Sequence, residues 1–274
     1  MKFLIPVMKP AVWLAISLLL ISGGCNEVPL TGRSQMAFIP ESTLMEMSLT
    51  SYGEFLKSNK LSSNSSQTDM VRRVGGRIAN AVEQYLTSNG FANRVNDFKW
   101  EFNLVADETP NAWAMPGGKV VVYSGILPLT RNEDGLAVVI GHEIAHAVAR
   151  HGNERMSQGL LVQMGGIAIS QAIKEKPEAT QALFLGAYGA GAQVGLMLPY
   201  SRKHEYEADE LGLIFMAMAG YNPEEAVSFW TRMSQQGGAR PPEFLSTHPV
   251  DASRISRIKK VMPKAMSYYK NTAR

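Results

Sequence analysis

The chain has 274 residues, of which 45% are hydrophobic and 19% charged, with a formal net charge of +3 and one cysteine. This composition is typical of a globular protein with a sizeable core, so general disorder is excluded. A single cysteine excludes an intramolecular disulfide and any zinc site that needs two thiolates, and the small charge does not indicate a nucleic-acid partner.

The first 24 residues have the layout of an export signal. Two lysines, at positions 2 and 9, precede an apolar run at 11–21, which is shorter than the roughly 20 residues of a membrane-spanning helix. Small residues at 22–24 lead to Cys25, followed by Asn26. The pattern predicts an exported bacterial lipoprotein, lipid-anchored through Cys25 at the periplasmic face of the outer membrane. The alternative interpretation is an uncleaved anchor.

The remaining chain is predicted to be one domain on a tether: signal peptide 1–24, lipidated tether 25–40 and a single domain at 41–274. Hydrophobic periodicity and turn residues predict the following elements: a helix at 41–57, a second from 68 or 69 to Gly90, strands at 98–105 and 119–125, and a helix at 133–151. Later helices are predicted at 203–219, after Asn222-Pro223, and from about Asp251.

Residues 155–199 form helical segments rich in glycine and alanine. Polar residues interrupt each long apolar run, so the sequence predicts no membrane span here. Buried helices and helices that graze a membrane both remain open.

The helix at 133–151 carries the pattern His142-Glu143-Ile144-Ala145-His146. Histidines at i and i+4 share one helix face, so both imidazoles can bind one zinc ion. Glu143 lies beside them and can act as general base on a zinc-bound water. Apolar flanks indicate a buried helix, where a chance His-Glu-His pattern would be costly.

A catalytic zinc needs a third protein ligand. His151 lies nine residues after His142, about 180° round a continuous helix, which predicts a structural or exposed residue and not a ligand. The better candidate is Glu205, with Asp209 at i+4 positioned to accept the outer N–H of a zinc histidine. Glu207 falls on another helix face and is predicted to be solvated.

The segments HEIAHAVARHG, SRKHEYEAD and STHPVDASRI, in this order, resemble the gluzincin family of the CAAX prenyl endoprotease, HtpX and the mitochondrial Oma-type protease. Residues 111–118 also resemble the family's NAxAxPGG segment. The soluble bacterial lipoprotein members, such as LoiP and the catalytic part of BepA, are the most similar. The resemblance covers about 35–265.

This resemblance implies a mainly helical α+β zincin-like domain with a small antiparallel sheet whose edge strand lines the site. It implies one zinc ion at His142, His146 and Glu205, with Glu143 as base. The implied substrate-binding edge strand consists of Lys119, Val120, Val121, Val122 and Tyr123.

The resemblance also places His248 near the metal. There His248 would either donate to the oxyanion of the reaction or occupy the open zinc position and keep the enzyme latent. Arg254 is expected to steady this loop or a carboxylate near zinc.

Together these features predict a zinc metalloendopeptidase for misfolded or misassembled cell-envelope proteins, with envelope or outer-membrane proteins as substrates. The alternative is a zinc-dependent chaperone or assembly factor that binds such proteins and rarely cleaves them.

Overall fold

A computed structural model describes residues 25–236, 244–245, 248 and 252–272; the predicted signal segment 1–24 lies outside them. The strands are β1 Cys25–Glu27, β2 Ser34–Met36, β3 Glu101–Val105, β4 Ala112–Met115 and β5 Lys119–Tyr123. The helices are α1 Glu41–Ser58, α2 Ser65–Ser88, α3 Ala92–Val95, α4 Leu127–Thr130, α5 Glu133–Val148, α6 His151–Ile173, α7 Glu178–Ala192, α8 Leu198–Met218, α9 Glu225–Gln235 and α10 Ala252–Thr272. A π-helical segment, Gln193–Met197, joins α7 to α8.

The architecture is mainly helical with a small sheet, which confirms the predicted fold class. Helix α5 runs through the centre, and thirteen of its sixteen residues are buried. It packs against α2, α8, α9 and the sheet. Asn132 caps its start by accepting a hydrogen bond from the Gly135 N–H at 2.8 Å, as expected for an Asn N-cap. The element that carries the His-Glu-His pattern is therefore anchored on all sides.

The sheet is mixed and has the order β3-β5-β4. Strand β5 pairs parallel with β3 and antiparallel with β4. The predicted purely antiparallel sheet was therefore wrong in this detail. The prediction that 119–123 is an edge strand was also wrong, because both sides of β5 are paired.

Residues 25–36 fold into a two-stranded antiparallel hairpin, β1 with β2, although a tether was predicted there. Val28 is fully buried in the main core, and Gln35 is 2% exposed. The side chain of Arg33 reaches carboxylates of α6 and α8. Polar composition predicted a solvated segment, but ion pairing and the burial of a few apolar side chains hold it against the domain.

Helices α6 and α7 form a hairpin that extends from the rest of the molecule. The first turns of α6 are buried, at His151, Asn153, Glu154, Ser157 and Gln158. Beyond them α6 packs on α7, and no described side chain of α7 is buried. The structure thus decides against the buried alternative for the glycine- and alanine-rich segment.

Candidate metal centre

The centre is built from two helices that cross closely. Helix α5 presents His142 and His146 one turn apart, and α8 presents Glu205 opposite them. The helices approach at a pair of glycines: a side chain at Gly141 would lie 2.9 Å from the Gly212 carbonyl oxygen, and one at Gly212 would lie 2.8 Å from the His142 nitrogen. Sequence reasoning missed this pair, and the signal available was a glycine directly before His142.

Four buried side chains converge on one point: His142, His146, Glu205 and His248. The Nε2 atom of His142 lies 3.1 Å from His146 Nε2 and 3.0 Å from His248 Nδ1. Glu205 places its oxygens 3.3 Å from each of the two helix histidines and 2.8 Å from His248 Nδ1. Donors at about 2.0 Å round a tetrahedral zinc are separated by about 3.3 Å, so this donor set fits the ion.

His142 is oriented from behind by a buried ion pair. Its Nδ1 lies 3.0 Å from Asp209 Oδ1, and Arg254 donates two hydrogen bonds of 2.7 and 2.8 Å to the Asp209 carboxylate. The Arg254 guanidinium lies 3.4 Å above the Trp230 ring and donates to the His248 carbonyl at 3.3 Å. Burial disfavours protonated His142, but Asp209 and then Glu205 outweigh it and raise its pKa to about 9. The Nδ1–H donated to Asp209 leaves Nε2 facing the donor cluster.

His146 has a different partner behind it, His151. Their Nδ1 atoms are 2.9 Å apart, and His151 Nε2 lies 3.0 Å from Glu207 Oε2. The structure keeps His151 out of the donor cluster but makes it fully buried, so the assumption of a continuous helix was wrong. Helix α5 ends at Val148 and Arg150 adopts a left-handed conformation with φ 54°, which redirects the chain.

His151 fixes the tautomer of His146. Burial lowers the pKa of His151 to about 4, so its ring is neutral. A neutral ring that donates Nε2–H to Glu207 has an acceptor at Nδ1 for the His146 Nδ1–H. His146 Nε2 then carries the lone pair that faces the cluster.

A buried charge network extends from this point. Arg33 makes bidentate hydrogen bonds of 2.8 and 2.9 Å to Glu154 and a 2.7 Å bond to Glu207. His204 Nε2 lies 2.9 Å from Glu154. Glu207 is 7% exposed, so its predicted solvated position was wrong. Burial by itself raises the pKa of Glu207. The hydrogen bonds from His151, Arg33 and Thr31 outweigh burial and lower the pKa to about 2.

Glu143 is 3% exposed and stands beside the donor cluster. Among the described residues its Oε1 has no hydrogen-bond partner, although His248 Nε2 lies 3.4 Å away. The Ala114 backbone N–H donates to its carboxylate. Burial raises the pKa of Glu143 above its usual range, opposed by His248 and His142. A buried carboxylate with an unused oxygen is suited to accept a proton.

The free edge of the sheet that faces Glu143 is β4. Next to β4, the Asn111 carbonyl accepts a hydrogen bond from Tyr123 of β5, and at the other end the Met115 carbonyl accepts one from Gly118 in the turn that joins the two strands. Antiparallel pairing alternates, so Ala112 and Ala114 direct their backbone groups away from β5. The resemblance had implied the neighbouring strand at 119–123, so β4 was missed.

Comparison with known proteins identifies related sequences. Residues 73–262 match the model of Peptidase family M48. The chain is 39% identical over 173 residues to the mitochondrial metalloendopeptidase OMA1 of Schizosaccharomyces pombe, covering 62% of this chain and 49% of that protein. It is 30% identical over 272 residues to OMA1 of Saccharomyces cerevisiae, covering 93% of this chain and 76% of that protein.

A bacterial relative is also similar. The beta-barrel assembly-enhancing protease of Escherichia coli is 31% identical over 185 residues, which cover 64% of this chain and 38% of that protein. The chain therefore spans between about a third and three quarters of these relatives.

The predicted location was wrong. We expected an exported lipoprotein anchored through Cys25 at the outer membrane, but several of the relatives are named as mitochondrial proteins. In the fold, Cys25 of β1 pairs with Met36 of β2, so it is part of the hairpin that packs on the domain. The basic start, the short apolar run and the small residues before Cys25 together had predicted lipid attachment.

Proposed function

The chain belongs to peptidase family M48 and is by that membership a metalloendopeptidase, and from this premise we propose that zinc is its metal and misassembled proteins are its substrates. The observation that carries the choice of metal is the donor set. Three imidazole nitrogens and a carboxylate, buried and about 3 Å apart, are typical of zinc and unlike the all-oxygen sites of magnesium or calcium.

We assign His142, His146 and Glu205 as the protein ligands. Zinc held there would supply a Lewis acid that polarises the scissile carbonyl and lowers the pKa of water to about 7. Asp209 and His151 keep the Nε2 atoms of the two histidines facing the point where the ion would be held. Arg254 acts through Asp209 and holds the carboxylate in place.

Glu143 acts as the general base. Its unpaired Oε1 accepts a proton from the attacking water, and the same carboxyl then delivers the proton to the leaving amine. The Ala114 N–H keeps the carboxylate oriented during both transfers.

The substrate backbone binds along β4. The outward backbone groups of Ala112 and the outward carbonyl of Ala114 offer hydrogen bonds to one added strand, while the Ala114 N–H is directed at Glu143. An extended peptide paired there brings a scissile bond to the base. In this binding mode the enzyme recognises the substrate mainly through backbone hydrogen bonds and less through side chains. It suits substrates that expose extended segments with unpaired backbone groups.

His248 is assigned to the closed form of the site. Its Nδ1 lies among the donors, at 3.0 Å from His142 Nε2, where an open zinc position is needed for water. This geometry favours the latent role over donation to the oxyanion. Phe244, four residues before His248, contacts the segment before β4, since its backbone N–H donates to the Pro110 carbonyl at 3.4 Å. Opening the centre therefore goes with freeing the β4 edge.

Replacement of Glu143 by Gln tests this function. We expect E143Q to keep one zinc per chain by elemental analysis and to lose cleavage of an unfolded protein substrate. The matched control is E133Q on the same helix, where an exposed carboxylate pairs with Arg73. Normal cleavage by E143Q would contradict the mechanism, and full biological activity of E143Q would favour the chaperone alternative.

A further inference from the structure

The β1–β2 hairpin at 25–36 contributes side chains to the buried network behind the metal centre. It lies outside the range 73–262 that matches the family model. Its residues Thr31 and Arg33 nevertheless both contact Glu207 on α8, which is 176 and 174 residues away in sequence. The burial of Val28 in the core already holds this hairpin on the domain, and these polar contacts are additional to it.

The carboxylate of Glu207 is held by the hairpin at both of its oxygens. The hydroxyl of Thr31 donates to Oε1 at 2.6 Å, and Arg33 Nε donates to Oε2 at 2.7 Å. The same Oε2 accepts a hydrogen bond of 3.0 Å from His151 Nε2. Because charge-assisted hydrogen bonds fix the orientation of a carboxylate, the acceptor that Glu207 presents to His151 is fixed as well.

Arg33 also supports His151 by a second route, which leads to the face of the imidazole ring. Both Nη atoms of Arg33 donate to Glu154, at 2.8 and 2.9 Å, and Glu154 accepts a hydrogen bond of 2.9 Å from His204 Nε2. The His204 ring stacks on His151, with the ring centroids 4.3 Å apart and 17° between the planes. One guanidinium therefore holds the edge and the face of the same ring.

Each histidine of α5 is thus backed by a series of buried groups that ends at an arginine. The series behind His142 ends at Arg254, and the one behind His146 ends at Arg33. A guanidinium presents its donors in a rigid planar fork and can bridge two carboxylates in one geometry, whereas a lysine ammonium is a point charge on a flexible stem.

We propose that Arg33 is a positioning residue for the metal centre, so that the β1–β2 hairpin is a structural part of this centre. By fixing the ring of His151, Arg33 keeps the Nδ1 lone pair of His151 aimed at the His146 Nδ1–H. His146 Nε2 is then directed at the donor cluster. Thr31 adds to the same effect. This role rests on the proposed zinc site, because the property that it affects is the affinity for zinc.

The zinc affinity of variants of the full chain, measured by competition with a chelator, tests this role. R33Q removes the donors to both carboxylates and should weaken zinc binding about tenfold. R33K keeps the charge but not the planar fork, so its loss should be intermediate. T31V removes only the hydroxyl that holds Glu207 Oε1 and should cause a smaller loss in the same direction.

The matched control is R232Q. Arg232 is about as buried as Arg33, with 14% against 12% of the side chain exposed, and it also pairs with a carboxylate, that of Glu225. It donates a further hydrogen bond to the Leu129 carbonyl, and neither of these two partners belongs to the donor cluster. We expect R232Q to lower the melting temperature and to leave zinc affinity unchanged.

Nitrogen-15 NMR of the histidine side chains supplies a readout that needs neither zinc nor proteolysis. In metal-free wild type at neutral pH, His146 should carry its proton on Nδ1 and give a resonance that is absent from H146N. In R33Q the ring should exchange between its two tautomers, and this Nδ1–H resonance should broaden or disappear.

Three results would overturn the proposal: wild-type zinc affinity in R33Q, an equal loss of affinity in R232Q, or an unchanged His146 Nδ1–H resonance in R33Q. Circular dichroism verifies that each variant is folded. If R33Q does not fold, T31V decides in its place, and an unaltered zinc affinity there contradicts the role. If the wild type binds no zinc, the proposed metal is wrong, and the resonance of the metal-free protein still decides the role of Arg33.

Discussion

Helices α5 and α8 and the α6–α7 hairpin are similar in composition but opposite in environment. Both regions are rich in alanine, glycine and aliphatic residues. In α5 and α8 those residues are buried, and small residues let the helices meet at Gly141 and Gly212. In the hairpin the same residue types face outward, and a side chain at Gly189 would contact nothing within 4 Å.

The difference teaches that an apolar composition does not by itself show whether a helix is covered by other parts of the protein. Protein atoms surround the metal centre, where buried polar groups have hydrogen-bond partners: Asp209 pairs with His142 and Glu207 pairs with His151. Beyond the first turns of the hairpin, no described side chain is buried. The following paired substitutions separate the two regions, beginning with the largest expected effect.

Truncation of a leucine should distinguish the two regions most clearly. Leu211 on α8 is 0% exposed, and L211A should cost about 2–5 kcal/mol of unfolding free energy through lost burial and a cavity. L183A in the hairpin should change it by less than about 0.5 kcal/mol in a membrane-free buffer. Urea denaturation measures both; equal effects would mean that the hairpin is packed in solution.

Acid should weaken the buried network but not the hairpin tip. Burial raises the pKa of Glu154, but His204 and Arg33 outweigh it and lower the pKa from 4.5 to about 2. Stability from this carboxylate is therefore present above about pH 4.5 and is lost as pH falls through 2.

The stability difference between wild type and E154Q should be on the order of 3 kcal/mol at pH 6 and shrink towards pH 2. Urea unfolding at a series of pH values measures it. The exposed tip residue Glu178 offers the matched change E178Q, which should leave stability unaltered throughout. A pH-independent E154Q effect would contradict the ionised network.

Adding one methyl group should separate the two helix contacts. G212A must push α8 from α5, because its side chain would lie 2.8 Å from the His142 nitrogen, and overpacking of this kind costs about 1–3 kcal/mol. G189A should be neutral or stabilise by up to about 1 kcal/mol through helix propensity. Thermal unfolding and zinc affinity report both; a silent G212A would mean that the helix separation is adjustable.

The smallest expected effect concerns the two ends of α6. H151N removes the ring that orients His146 and should weaken zinc binding tenfold or more while the fold is kept. Q171N, at an exposed position on the same helix, should leave the affinity unchanged. Competition with a zinc chelator measures this affinity. Unaltered binding in H151N would show that His146 needs no partner at Nδ1.

Local sequence features predicted much of the centre. The i, i+4 spacing put His142 and His146 on one face, and the same spacing on α8 put Asp209 within 3.0 Å of His142. Both follow from helix geometry, which depends only on neighbouring residues. The boundaries of α1 were likewise predicted from periodicity and turn residues, whereas the helical class with its small sheet was implied by the family resemblance.

Other features depend on residues far apart in the chain, and sequence reasoning misplaced them. Strand β5 is central because β4 returns to pair with it, so the proposed substrate edge is Ala112–Met115 and not 119–123. His151 reaches His146 because a left-handed residue breaks the helix between them. Glu207 is buried because Arg33, 174 residues away, meets it.

The sequence by itself determined the enzyme class, the metal-binding pattern and the helices that carry it, because these rest on short-range periodicity and on residue chemistry. Only the tertiary structure decided which strand lies at the edge of the sheet, which charges are buried and which apolar side chains of the described helices stay exposed. Burial and strand order are properties of long-range contacts, and no spacing along the chain specifies them.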